Sequence, residues 1–291
     1  MRYKFIQGNR SIYGVEEMAK ILDISRSGYY AWSNRKQNKR SIENEKIVMG
    51  MRIIHEKTHY TYGSPRMTVE LNAIGIRCGK NRVARLMRKY GIMAKMRRRF
   101  KITTHSRDGM PVSENLLQNF SVTGPNKVWV SDISYIRTEE GWIYLAIILD
   151  LYSRKVVGWR MKERLTQDIV IEALKYAIRS RKPIERLIFH SDKGSQYTSK
   201  NFQELLKGYK FMSSMSGKGN CYDNAYAESF FHTLKTEWIY FKRYTTREEA
   251  KNSIFEYIEI FYNRFRRHSG LDYQTPEEFE EKSECQTLKV A

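Results

Sequence analysis

The chain has 291 residues, with a hydrophobic fraction of 41% and an aromatic fraction of 13%, enough to bury a core and to exclude a disordered chain. Its 52 Lys+Arg against 32 Asp+Glu leave a formal net charge of +20, which points to a polyanionic partner. Residues 1–121 hold 25 of those cations and 9 of the anions, so a strongly basic arm is expected in front of a nearly balanced globular body.

The N-terminus, Met1-Arg2-Tyr3-Lys4, has no apolar stretch behind its charges, so no signal peptide is expected. Residues 14–33 predict two short helices around a tight turn. Val15, Met18, Ala19 and Leu22 keep helical spacing, Asp23-Ile24-Ser25 breaks it, and Ser27-Gly28 restarts it toward Tyr29, Tyr30 and Trp32. Residues 1–38 are therefore a first helix-turn-helix region. Residues 42–60 predict a longer amphipathic helix through Ile47, Met51 and Ile54. Ser64 is expected as an N-cap with Pro65 at the first helical position, Met67, Leu71 and Ile74 on one face, and Gly75 as the stop. The next helix spans about Lys80 to Tyr90. Val83, Leu86, Met87 and Tyr90 face inward, which leaves Lys80, Arg82, Arg85, Arg88 and Lys89 on the outer side. An apolar seam backed by cations is what a major-groove recognition helix needs, so residues 42–95 read as a second, DNA-binding helix-turn-helix domain. Residues 96–121 read as a basic linker in which Arg97, Arg98 and Arg99 can meet phosphate.

From residue 127 the pattern changes to strands. Val128–Arg137, Trp142–Leu151 and Lys155–Met161 predict an antiparallel meander, with the turn at Thr138–Gly141. The longest apolar run, Ile143–Leu149, is far too short to cross a bilayer. A helix over Thr166–Ser180, with Ile169, Ala173, Tyr176 and Ala177 on one side, leads to a fourth strand at Arg186–His190. A short helix at Asn201–Lys207 and a fifth strand at Lys210–Met215 follow. Asp223 caps a helix to about Tyr240, Thr246-x-x-Glu249 forms a capping box for a helix to about Arg266, and Thr275-Pro276 opens a short last one. This order predicts an α/β domain over residues 122–291, a mixed five-stranded sheet covered by helices, behind all-α modules.

Three carboxylates stand out. Asp132 lies inside a strand, where an acid needs a partner or a cation. Asp192 follows the apolar Leu187-Ile188-Phe189 at a strand's carboxyl end, where open α/β sheets place their ligands. Glu228 shares one helical stripe with Asn224, His232 and Lys235. Converging carboxylates repel, so hard divalent cations suit them, and a pair of such ions serves phosphoryl transfer. Three other patterns carry less. His55-Glu56-Lys57-Thr58-His59 matches a zinc-protease helix, but no third ligand or CxxC pair follows, and these histidines are expected on a helix surface. Cys78, Cys221 and Cys285 define neither a disulfide framework nor a metal clasp, which fits a reducing cytoplasm. Trp129, Trp142 and Trp159 are expected in the core, while Tyr197 and Tyr222 are open to base stacking or packing.

The segments Trp129–Ile136, His190–Tyr197 and Gly219–Phe231 carry a resemblance, with 35 residues between Asp192 and Glu228 and Lys235 seven residues further on. With Tyr62-Gly63-Ser64-Pro65-Arg66 and Tyr262–Leu271, they make the chain similar to the second-reading-frame transposases of bacterial insertion sequences of the IS-three family, within the DDE transposase and retroviral-type integrase superfamily. The resemblance implies an RNase H-like catalytic core, Mg²⁺ or Mn²⁺ as two ions held by Asp132, Asp192 and Glu228, and Lys235 on DNA near them. It further implies cleavage and strand transfer at the element's terminal inverted repeats and in target DNA. A homo-oligomer on DNA, a first-reading-frame partner or frameshift fusion, and a bacterial, cytoplasmic, nucleoid-associated location follow as expectations. A DNA-binding regulator with an inactive core and an RNase H-like nuclease are the alternatives.

Overall fold

A computed structural model describes residues 1–34, 38–95, 113, 115–117, 122–183, 186–216 and 225–290. The expectations placed on Arg97, Arg98, Arg99, Tyr222 and the Asp223 cap lie outside the described residues.

Among its described residues the basic front is built of helices. Helices α1 (Arg2–Asn9), α2 (Val15–Ile21) and α3 (Arg26–Ser33) close a small core around Ile6, Met18, Ala19 and Tyr29. The helix α1 has no counterpart in the sequence reading, because its residues carry almost no apolar periodicity and only Ile6 is buried. Ser25, two residues before the expected restart, caps α3 by accepting the Gly28 N–H at 3.3 Å. Helices α4 (Lys39–Lys57), α5 (Ser64–Ala73) and α6 (Lys80–Lys89) form a second core around Ile47, Met51, Ile54, Met67, Leu71, Val83, Leu86 and Met87. Ser64 is not the cap of α5; Gly63 holds that place without a side-chain bond, and the Ser64 carbonyl instead accepts from Thr68 Oγ1. The stops at Gly75 and Gly91 stand as expected. Both have positive φ, and the residue after each donates its N–H back to Leu71 and Met87 respectively. Tyr90 departs from its expected inward position and is exposed, under the Lys89 ammonium at 5.3 Å.

The rear unit is built on five strands, β1 (Val128–Thr138), β2 (Gly141–Asp150), β3 (Val156–Lys162), β4 (Ile188–Ser191) and β5 (Met212–Met215), in the order β3-β2-β1-β4-β5. The first three pair antiparallel, as the meander requires, while β4 and β5 run parallel to β1. One face is covered by α7 (Asp168–Arg181), the single turn α8 (Ser195–Thr198) and α9 (Lys200–Gly208), packed on Trp129, Ile148 and Phe189. The α7 crossing is close because position 158 is glycine. A Cβ there would lie 2.6 Å from the Ala173 carbonyl oxygen and 2.7 Å from the Ala177 Cβ. Tyr176 leaves this packed face and is exposed, since Ile169, Ala173 and Ala177 already fill the seam at four-residue spacing.

The opposite face carries α10 (Ala225–Glu237) and α11 (Arg247–Phe255), with Val128, Val130, Leu145 and Ile147 below, and α12 (Pro276–Val290) packs on the stretch that follows α11. Thr246 caps α11 through the Glu249 N–H at 3.1 Å, and the Glu249 carboxylate accepts from Thr245 N–H at 2.8 Å. After α11 the chain winds on as a π-helix over Glu256–Phe265, burying Tyr257, Ile258, Phe261 and Tyr262. Asn263 closes that segment against β3, accepting from the Val156 N–H and donating to its carbonyl, both at 3.0 Å. Trp129 is fully buried and Trp159 partly so, but Trp142 is exposed and meets Tyr135 edge-on at 5.0 Å. Among the described residues no helix is long and apolar enough to cross a membrane.

Candidate active site

The register of the sheet brings the first two carboxylates together. Parallel β1 and β4 pair Val130 with His190. Two residues further along stand Asp132, still on β1, and Asp192, one residue past the end of β4. Val128 and Val130 belong to the core under α10, so Asp132 faces that helix. Along α10, Glu228 lies in the first turn and Lys235 two turns later.

Each aspartate is tethered locally. Asp132 Oδ1 accepts the Ile133 N–H at 2.8 Å, and Asp192 Oδ1 accepts the Gly194 N–H at 3.0 Å. Glycine suits position 194, since a Cβ there would lie 3.0 Å from that same carboxylate oxygen. Beneath them, Ser131 Oγ donates to the Ile147 carbonyl at 2.7 Å and shares a hydrogen bond with Tyr197 Oη at 2.8 Å. Tyr197 is buried among Phe189 and Phe202, so it supports the strand and does not stack on bases. His190 is also fully buried, held between Ser214 and Ser216 at 2.9 and 3.2 Å.

The electrostatics are unbalanced. Burial pushes the Asp132 carboxyl up to about 7, and the charges of Asp192 and Glu228 add to the shift. The Ile133 N–H and the Lys235 ammonium oppose it. Asp192 is raised as well, by the atoms crowding its base against the pull of the Gly194 N–H. Burial keeps the Tyr197 phenol protonated, with both aspartate charges pushing the same way. Lys235 is lowered by desolvation and raised by Asp132, and its Nζ sits over the exposed Tyr135 ring at 5.2 Å. Among the described residues no three His, Cys, Asp or Glu side chains stand close enough to hold a metal ion. The donor chemistry nevertheless fits a divalent cation. Asp132 feels the charges of both other carboxylates, all three offer hard oxygens, and Lys235 is the cation that acts on Asp132.

The second group of expected residues lies on α6. Lys80, Arg85 and Arg88 are exposed and make no ion pair among the described residues. Arg82 differs. It is half-buried and tied to α4, through Nε to Asn44 at 3.0 Å and Nη2 to Glu43 at 3.0 Å. The zinc-helix pattern is absent, since α4 ends at Lys57 and His59 has a φ of 51°. Nor does His59 sit on a helix surface; its ring meets Trp238 at 4.4 Å and Phe261 at 5.4 Å. The sequence reading missed this seam between the helical front and the sheet, although Tyr62–Arg66 and Tyr262–Leu271 were already conspicuous.

The descriptions "Integrase core domain" match residues 122–221 and 209–276, and "HTH-like domain" matches residues 42–100. The chain is 40% identical over 289 residues to the transposase InsF for insertion sequence IS3A of Escherichia coli K12, covering 97% of this chain and 99% of that one. It is 44% identical over 266 residues to a 31 kDa protein of insertion element IS600 from Shigella sonnei, covering 91% and 98%. A solved simian T-cell lymphotropic virus intasome includes a chain 16% identical to it, at a TM-score of 0.46 over 79% of this chain and 74% of that one.

Proposed function

This chain belongs to the transposase family of insertion sequence IS3, and we propose that it cleaves and joins DNA at its element's ends through Asp132, Asp192 and Glu228. Membership makes it a protein of DNA transposition with an integrase-type polynucleotidyl transferase core. The observation that carries the finer reading is that Asp132 feels the charges of both Asp192, just past the end of the β4 strand beside β1, and Glu228 on α10, with Lys235 opposing them. These three carboxylates would hold Mg²⁺ or Mn²⁺ as a pair of ions, which when bound activates an attacking oxygen and stabilises a leaving one.

The chain's own groups do the rest. The Ile133 and Gly194 N–H groups fix the two aspartates, so little reorganisation is needed when substrate arrives. Lys235 offers a positive charge beside Asp132, placed to receive a DNA phosphate. Helix α6 presents Lys80, Arg85 and Arg88 to the element's terminal repeat, with the arginine run at 97–99 following along the backbone. Residues 42–95 are read as the DNA-binding domain, 96–121 as the linker and 122–291 as the catalytic core, acting as an oligomer on DNA with the first-reading-frame product.

The test is Glu228→Gln assayed on a duplex carrying the element's end with Mg²⁺. Cleavage and strand transfer should fall by at least about three orders of magnitude, or about 4 kcal/mol of barrier, while duplex binding persists. A variant that cuts as well as the parent chain would remove Glu228 from the chemistry.

A further inference from the structure

Two sequence motifs remote from the carboxylates meet across the seam between the helical front and the sheet. The Tyr62 hydroxyl donates to the Phe265 carbonyl and accepts the Arg267 N–H, both at 2.8 Å. Arg66 Nη1 reaches Glu237 Oε1 at 3.4 Å. The same carboxylate receives Arg266 through Nε at 2.7 Å and Nη2 at 2.8 Å, a bidentate pair that is almost fully buried. One turn further along α5, Glu70 pairs with Arg267. His59 packs on Trp238 and Phe261, and the Lys95 ammonium lies 4.7 Å from the Phe241 ring. Burial and the charges of Arg266, Arg66 and Arg154 hold His268 well below its usual range, so no further cation enters the cluster.

The partners on each side matter. Tyr62, Arg66 and Glu70 lie at or in α5, the helix packed against α6. Glu237 is the last residue of α10, the helix whose first turn carries Glu228. Arg266 follows the π-helical stretch, whose winding lets its N–H reach back to the Phe261 carbonyl at 2.7 Å. A rigid path therefore runs from α6 through α5 to Glu237, and along α10 to Glu228. Units joined by a small polar seam are expected to move relative to each other unless something fixes them.

We propose that this cluster is a latch that sets the distance between the duplex held on α6 and the phosphodiester presented to the carboxylates. Tyr62, Arg66, Glu70, Glu237, Arg266 and Arg267 are positioning residues; they choose which bond is cut and leave the chemistry of cutting to Asp132, Asp192 and Glu228. The inference rests on the transposase reading given above. Its physical half, a fixed spacing between the two units, does not need activity.

The experiment uses the full chain with Glu70→Arg, Arg267→Glu, the double reversal, and the milder Tyr62→Phe. X-ray scattering without DNA should show a larger radius of gyration in each single reversal and a return in the double one. On end-bearing duplexes the single reversals should keep their affinity but spread the cut over neighbouring phosphodiesters, with about tenfold less at the native bond. They should also tolerate a short insertion between the repeat and its terminus that the parent chain rejects. Tyr62→Phe should show the same defects in weaker form, and the double reversal should recover the native cut. Unchanged scattering with an unchanged cut in all variants would overturn the latch, as would losses that the double reversal leaves unrepaired. Failure of the parent chain to cut any end would instead strike the transposase reading and leave the scattering result standing.

Discussion

Asp132 concentrates the tension of the site. Its carboxyl is pushed to about 7 by burial and by the charges of Asp192 and Glu228, against about 3.9 for an aspartate in an unfolded chain. The folded state therefore holds an extra proton between those limits, and stability falls as pH rises through that window. Asp132→Asn keeps an oxygen to accept the Ile133 N–H and removes the repulsion. In the metal-free protein it should raise the melting temperature by roughly 2–4 °C per kcal/mol relieved, fully above pH 7 and not at all near pH 4, while abolishing cleavage. Calorimetry at the two pH values checks this, and an unstabilised variant at pH 8 would mean the carboxylates do not strain one another. Asp132 stood out in sequence as an acid in a strand. Its partnership with Asp192 did not, because it depends on the parallel pairing of β1 with β4 across 60 residues. The Ser131–Tyr197 bond below it had no sequence signal, since a tyrosine after a Gly-Ser turn reads equally as exposed or buried.

Among the elements, those with strong periodicity were legible: the β1–β3 meander, the α6 seam and the capped start of α11. What failed was short or aperiodic. The helix α1 lacks an apolar face, α8 is one turn, and the π-winding after α11 follows from side-chain packing against the sheet, not from local propensity. The contact of α7 with β3 gives a direct test of element packing. Gly158→Ala would drive a methyl into the Ala173 carbonyl and the Ala177 side chain, so α7 must lift. Such overpacking should cost about 1–3 kcal/mol, seen as a lower denaturant midpoint with an unchanged m-value. No loss of stability would mean that the helix is not held at this spacing.

Over the whole molecule the charge is divided by task. Most of the +20 lies in residues 1–121, and the exposed cations of α6 belong to it. Replacing Lys80, Arg85 and Arg88 with Ala should flatten the slope of log affinity against log salt by up to ~3, at ~0.9 per phosphate released. Arg82→Ala should change it far less, because that guanidinium is already spent on Glu43 and Asn44. Equal effects of Arg82 and Arg85 would contradict this assignment. The sequence by itself determined the helical modules in front and the mixed sheet behind them, and it singled out a basic arm and three acids, because charge and periodicity are local properties. Only the tertiary structure decided that Arg82 faces α4, that His59 and Tyr62 close a seam, and that Glu237 joins Arg66 to Arg266. Those pairings link residues up to about two hundred positions apart, and no local pattern records which buried charge will meet which.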